Sequence, residues 1–251
     1  MNAQLFDLTG RRALVTGSSQ GIGLALALGL ARAGAQVVLN GRDRAKLASA
    51  AGRIPDALTL PFDVTDHDAV RGAVDGFEAE HGAIDIVVNN AGMQHRSPLE
   101  DFSGAAFEQL MATNVLSVFH VGQACARHMI TRGAGKIINI ASVNALLARF
   151  SIAPYTATKG AVVNLTKGMA TDWARYGLNC NAIAPGYIET PLNEPLWSDP
   201  AFNEWLTRRT PAQRWGRADE LVGACVFLAS DAASFVNGHT LYVDGGLTAS
   251  L

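Results

Sequence analysis

The chain has 251 residues, 49% of them apolar, and a formal net charge of −2 with only 17% charged residues. That suffices for one α/β core of roughly 200–250 residues, and it leaves no basic field to gather nucleic acid or an anionic membrane surface, so a small-molecule substrate fits the balance better. No stretch approaches the ~18 apolar residues of a membrane span, the opening residues do not read as a targeting signal, and Cys125, Cys180 and Cys225 are too scattered for a disulfide framework or a zinc cage; a cytoplasmic protein without a metal site is expected.

Short β-branched runs alternate with longer segments of helical period, which predicts strand–helix units on a parallel sheet. Strands are expected at 12–16, 36–40, 57–60, 84–89, 135–141, 178–184 and 240–243. The fold class is then α/β, a single Rossmann-type doubly wound domain over residues 1–251 with a seven-stranded parallel sheet flanked by helices. In such sheets the ligand lies outside the carboxyl ends of the strands, so the chemistry belongs just after these runs.

The first strand leads into Thr16-Gly17-Ser18-Ser19-Gln20-Gly21-Ile22-Gly23 and an apolar helix. Gly17 permits the tight turn, Gly21 lets a pyrophosphate approach the backbone, and Gly23 lets helix and strand pack closely. Ser19, Gln20 and Ile22 share that turn, and the free N–H groups of the helix start face the phosphates. An ordinary glycine-rich turn is the alternative; the strand before it and the helix after it favour a dinucleotide. Where the second strand ends, an NAD site would carry an acid for the ribose 2′-OH, but Gly41 stands there and Arg42 follows. NADP is therefore expected, with NAD possible; an exposed Arg opening a helix is the alternative. Asp63 and Val64 suit the adenine, and Asn90, Ala91 and Gly92 end the fourth strand with small residues where a cofactor can lie against backbone.

Further along, Tyr155 and Lys159 stand four residues apart on one face of a predicted helix, with Ser142 upstream at a strand end. A free phenol has pKa ~10, and a neighbouring ammonium can lower it by roughly 1–3 units, so Lys159 is expected to bring Tyr155 toward neutrality. Tyr155 would exchange a proton with the substrate oxygen while Ser142 orients it. An amphipathic surface tyrosine is the alternative. The Pro-rich stretch at about 186–210, with Trp197 and Trp205, reads as an irregular segment covering the site.

These motifs resemble the short-chain dehydrogenase/reductase family from about Leu8 to the end of the chain. The resemblance implies that Asn114, Ser142, Tyr155 and Lys159 are the catalytic set, with Asn114 holding a water that links Lys159 to solvent. It also implies that Ile188 and Thr190 hold the nicotinamide amide and phosphates, with Pro185 and Gly186 of the same stretch also cofactor-binding, and that the protein is a homotetramer. Gln20 departs from the basic residue many NADP-using members carry there, leaving Arg42 alone on the 2′-phosphate. Within the family, the stretches Val38 to Asp43, Asn89 to Arg96, Ile152 to Tyr155, Ile183 to Tyr187, Arg209 to Gly216 and Phe235 to His239 are similar to those of the subfamily acting on gluconate and 5-ketogluconate.

A sugar acid needs a cation for its carboxylate and polar groups for its hydroxyls. Arg96 is the first choice for the carboxylate, with Ser142, Asn144 and Tyr155 on the reacting end; Gln94, His95, Arg149, Glu189 and Asn193 are further candidates. A solvated loop Arg or a salt bridge between subunits is the alternative for Arg96. Two other functions stay open: a 3-oxoacyl-(acyl carrier protein) or other carbonyl reductase, and a dinucleotide-binding module without catalysis.

Overall fold

The computed structural model describes residues 3–250. Among these, the strands are β1 (Arg12–Val15), β2 (Gln36–Leu39), β3 (Leu58–Thr59), β4 (Ile86–Asn89), β5 (Gly135–Ile140), β6 (Leu178–Pro185) and β7 (Thr240–Val243). They form one sheet in the order β3-β2-β1-β4-β5-β6-β7, and every pairing is parallel. The connecting helices are α1 (Gly21–Arg32), α2 (Arg44–Ala51), α3 (His67–His81), α4 (Gly104–Met111), α5 (Ser117–Arg132), α6 (Ala153–Trp173), α7 (Glu194–Trp197), α8 (Pro200–Arg209) and α9 (Val222–Ala229). The strand order reverses between β1 and β4, which opens a crevice beyond their carboxyl ends.

Alternation along each strand sorts the core into two layers. Ala13, Val15, Val37, Leu39, Ile86, Val88, Ile138 and Ile140 pack on one face with Leu26 and Leu30 of α1 and Leu228 of α9. Leu14, Val38, Val87 and Ile137 pack on the other with Val70 and Val74 of α3, Val121 and Met129 of α5, and Val162 and Met169 of α6. Because helices cover both faces, central strands such as β4 are buried at every position, which is why they read as continuous apolar runs.

Beyond one-residue differences at the ends of β1, β2, β5 and β6, three features differ from expectation. The fourth strand starts at Ile86 because the Ile84 N–H donates to the Glu78 carboxylate at 3.0 Å instead of to a neighbouring strand. At the sheet edge, the third strand shortens to two residues. The covering segment, expected to be irregular, is largely helical: Pro200 falls in the first turn of α8, where its missing N–H costs nothing, and Asp199 caps the helix by accepting from the Ala201 N–H at 3.0 Å. Among the described residues no helix is long and apolar enough to cross a membrane, and no group of three or more His, Cys, Asp or Glu could hold a metal ion. The three cysteines are free and buried.

Candidate active site

A cleft of about 570 Å³ runs along the carboxyl ends of the strands. One end is built from the turn between β1 and α1. Gly17 and Gly21 have φ of +60° and +58°, a region closed to most side chains. A Cβ at Gly23 would lie 2.4 Å from the Gly17 carbonyl oxygen and 2.5 Å from Asn90 Nδ2, so only glycine fits. Gln20, the N-cap of α1, makes no capping bond with its side chain, and the first turn holds no acid. The early N–H groups of α1 thus have the anion-binding character of an uncapped helix start. Ser19, Gln20 and Ile22 line the same end.

This turn is stitched to the end of β4. Thr16 Oγ1 accepts from the Asn90 and Ala91 N–H groups at 3.0 Å each. Asn90 Nδ2 donates to the carbonyls of Thr16 at 3.0 Å and Gly17 at 3.1 Å. The Asn90 side-chain amide therefore braces the turn, while Ala91 and Gly92 line the cleft beside it. At the rim, Arg42, Asp63 and Val64 are brought together, with Lys46 alongside. Arg42 is 80% exposed and lies 3.6 Å from Asp63. Burial raises the Asp63 pKa, but hydrogen bonds from Thr65 and the charge of Arg42 outweigh it and hold the carboxyl below its ordinary value.

At the other end, Ser142 follows β5 and is buried, its Oγ accepting from the Asn144 N–H at 3.1 Å. Tyr155 sits in the first turn of α6 and Lys159 one turn later. Lys159 is buried; its Nζ donates to the Ile140 carbonyl at 2.8 Å and lies 5.7 Å from the centre of the Tyr155 ring. Burial lowers Lys159 to about 8. Burial also pushes the Tyr155 phenol up to about 12, against a hydrogen bond from Ser142 and the charge of Arg96. The expected downward shift of Tyr155 is thus reversed, because a desolvated pocket opposes the charged form of each partner.

Asn114 lies in a π-helical turn, Ala112–Leu116, between α4 and α5. Its Oδ1 accepts from the Met93 N–H at 2.8 Å, and its Nδ2 donates to the Met93 carbonyl at 3.0 Å and to Thr158 Oγ1 at 3.1 Å. Thr158 in turn donates to the Tyr155 carbonyl at 2.7 Å. The side chain of Asn114 is therefore spent on clamping the loop after β4 to α6.

Of the polar candidates, Gln94, Arg96, Asn144, Arg149 and Asn193 line the cleft near Tyr155, as do Pro185, Gly186, Ile188 and Thr190; His95 and Glu189 do not. His95 packs edge-on against Phe102 instead. Tyr187, Thr16, Thr158 and Lys46 also contribute to the cleft or its bracing without being singled out by the sequence. Thr16 and Thr158 each adjoin a recognised motif, which was the available signal.

The fold and this cleft are those of a dinucleotide-dependent oxidoreductase. The family model described as Enoyl-(Acyl carrier protein) reductase matches residues 17–248. The chain is 61% identical over 251 residues to the gluconate 5-dehydrogenase of Gluconobacter oxydans strain 621H, covering 98% of each. It is 46% identical over 247 residues to the 5-keto-D-gluconate 5-reductase of Escherichia coli strain K12, covering 97% of each. The crystal structure of a gluconate 5-dehydrogenase from Burkholderia cenocepacia J2315 in complex with NADP and tartrate matches with a TM-score of 0.98 and 58% identity over 100% of both chains. The chain belongs to the short-chain dehydrogenase/reductase family, and it is an oxidoreductase acting on CH–OH groups.

Proposed function

We propose that the protein is an NADP-dependent dehydrogenase that interconverts D-gluconate and 5-keto-D-gluconate, with Tyr155 as general acid and base. The observation that carries this reading is one cleft joining an uncapped, glycine-turned helix start to a Ser142–Tyr155–Lys159 set, with Ser142 and Lys159 buried and Tyr155 half-buried, that Arg96 also lines. The relatives named above act on this substrate pair, and the Burkholderia cenocepacia structure holds NADP together with tartrate, a hydroxy acid.

The residues present fit the cofactor. Gly17, Ser19, Gln20, Gly21, Ile22 and Gly23 offer backbone to a pyrophosphate, and Arg42 is free enough to swing from Asp63 to a 2′-phosphate. Asp63 and Val64 would border the adenine, Ala91 and Gly92 the middle of the dinucleotide with Asn90 behind them, and Pro185, Gly186, Ile188 and Thr190 its nicotinamide end. When bound, the nicotinamide supplies or accepts the hydride.

In reduction, Tyr155 donates its phenolic proton to the substrate oxygen, which Ser142 holds by a hydrogen bond. A phenol near 12 is protonated at neutral pH and so ready to donate. Lys159, at about 8, is mostly an ammonium at neutral pH and stabilises the phenolate left behind. Oxidation runs the same proton path backwards. Arg96 takes the substrate carboxylate and Asn144 lies within the same pocket for a hydroxyl. The family resemblance further supports a homotetramer, and the scattered free cysteines a cytoplasmic location; exposed Phe107, Leu116 and Phe119 on and beside α4 and α5 are apolar surface that association would cover, and sedimentation would give the mass.

The test is NADPH oxidation by the wild type with 5-keto-D-gluconate, an acetoacetyl thioester and a set of neutral ketones. Preference for 5-keto-D-gluconate is the expected result. Preference for the thioester would make the protein a 3-oxoacyl reductase, and turnover of none would leave a binding module.

A further inference from the structure

Arg149 lies on the loop that follows Ser142. Its Cζ is 4.9 Å from the centre of the Phe202 ring on α8, and its Nε is buried without a hydrogen-bond partner. Arg96, on the loop after β4, is in the same condition: its Nε is also buried and unpartnered. Among the described residues neither side chain belongs to an ion pair, although Arg11, Arg42, Arg132, Arg208, Arg214 and Arg217 all do. Both line the substrate end of the cleft with Tyr155 and Tyr187. Burial first, and the charge of Arg149 second, lower the Arg96 pKa, against Tyr187 and Tyr155, which raise it.

Two like charges held together in a partly desolvated pocket repel, and unmet buried N–H groups add to the cost. The stacking of Arg149 on Phe202 and its hydrogen bond to the Tyr187 hydroxyl offset only part of this, since Nε stays unmet. The acids that line the cleft, Asp43 and Asp63, stand at the opposite rim with Arg42. The protein therefore supplies two guanidinium forks and no anion for them.

We propose that Arg149 is the second half of a twin-guanidinium clamp on the substrate carboxylate, with Arg96 the first. This rests on the reading that the substrate is a carboxylate, and it makes Arg149 a specificity-determining residue. A carboxylate has two oxygens and about four lone-pair sites, enough for a fork from each side. Because the clamp draws one arm from each of two loops, the carboxylate would bridge the elements that follow β4 and β5.

The test is steady-state kinetics with saturating NADPH for the wild type and for Arg149→Met, Arg149→Lys, Arg96→Met and the double variant. Arg149→Met is expected to raise KM for 5-keto-D-gluconate about 10–100-fold, more than it changes kcat. Its kcat/KM for the acid should fall at least tenfold more than for a neutral ketohexose of the same length. Arg149→Lys should recover only part of the loss, since an ammonium lacks the fork. The double variant should lose less than the product of the single losses, because both side chains hold one group. Should Arg149→Met fail to fold, judged by its KM for NADPH, the Lys variant and the coupling of Arg149→Lys with Arg96→Met carry the same comparison. Equal losses on acid and neutral ketone, or full additivity, would overturn the clamp and leave Arg149 as packing for α8. If the wild type does not reduce 5-keto-D-gluconate at all, the substrate reading falls by itself. The clamp is then read from competitive inhibition by D-gluconate against the neutral analogue D-glucitol, on whichever ketone is turned over; no preference for the carboxylate, or one that Arg149→Lys leaves intact, would overturn it.

Discussion

At the glycine-turn end of the cleft, the bracing side chains are already occupied: Thr16 takes two N–H groups and Asn90 gives its amide to two carbonyls. At the substrate end, Gln94, Arg96 and Arg149 each bury a polar atom that no protein group meets. The first end presents backbone held in a finished frame, so its affinity comes from geometry fixed at folding. The second presents buried polar atoms left for a ligand to meet, so its affinity would come from chemistry that a substitution can retune without disturbing the sheet.

The largest expected effect lies at the side-chain end. Tyr155→Phe keeps the ring and removes the proton, so kcat should fall by roughly 10²–10⁴ while the KM for NADPH holds. Near-normal turnover would remove Tyr155 from proton transfer, and a parallel loss of cofactor affinity would show that the two ends are not separable.

Next is Arg42→Ala, which tests the side chain proposed for the 2′-phosphate at the cofactor end. Loss of a charge-assisted contact should cost about 10–150-fold in NADP(H) affinity and spare NAD(H). Equal weakening of both coenzymes would assign Arg42 to the shared framework instead.

The backbone frame itself is tested by Gly23→Ala. With the Gly17 oxygen 2.4 Å from the new Cβ, overpacking should destabilise the protein by about 1–3 kcal/mol and weaken both coenzymes alike. A thermal melt unchanged from the wild type would break the view that this end is set by close packing.

The smallest effect is a pH dependence at Lys159. Its folded pKa of about 8 lies below the unfolded value of ~10.4, so between these pH values the unfolded chain binds more protons and stability rises with pH. Below pH 8 the cost of burying the ammonium is present in full. The melting temperature of the wild type should therefore gain on that of Lys159→Met by a few degrees from pH 7.5 to 10. A gap independent of pH would mean that the buried lysine carries no such penalty.

Much of the frame was legible because its signals are local. A sheet covered on both faces gives apolar runs such as Ala13-Leu14-Val15 and Ile86-Val87-Val88, and α1 must begin where Gly17, Gly21 and Gly23 relax the backbone. The spacing of Tyr155 and Lys159 on one helix face is likewise local. What sequence hid depends on distant neighbours. Asn114 meets Met93 and Thr158, 21 and 44 residues away, and nothing in Ala112-Thr113-Asn114 marks the π-turn that aims it. The direction of the Tyr155 shift needs its burial, which spacing does not give. Prolines in the covering segment suggested irregular chain, yet Pro200 starts a helix.

On the proposed roles of Arg96 and Tyr155, the Asn114 bridge would also work as a ruler. It ties Met93, three residues before Arg96, to Thr158, three residues after Tyr155. With the roles proposed for Arg96 and Tyr155, the distance from anchoring group to proton donor would be set by the protein, and the carbon that reacts would be chosen by counting along the substrate from its acid end. Hydroxy acids one carbon shorter or longer should be oxidised at the same carbon counted from the carboxylate, which NMR of the products would reveal; a site that instead tracks the far end of the chain would mean the ruler starts elsewhere.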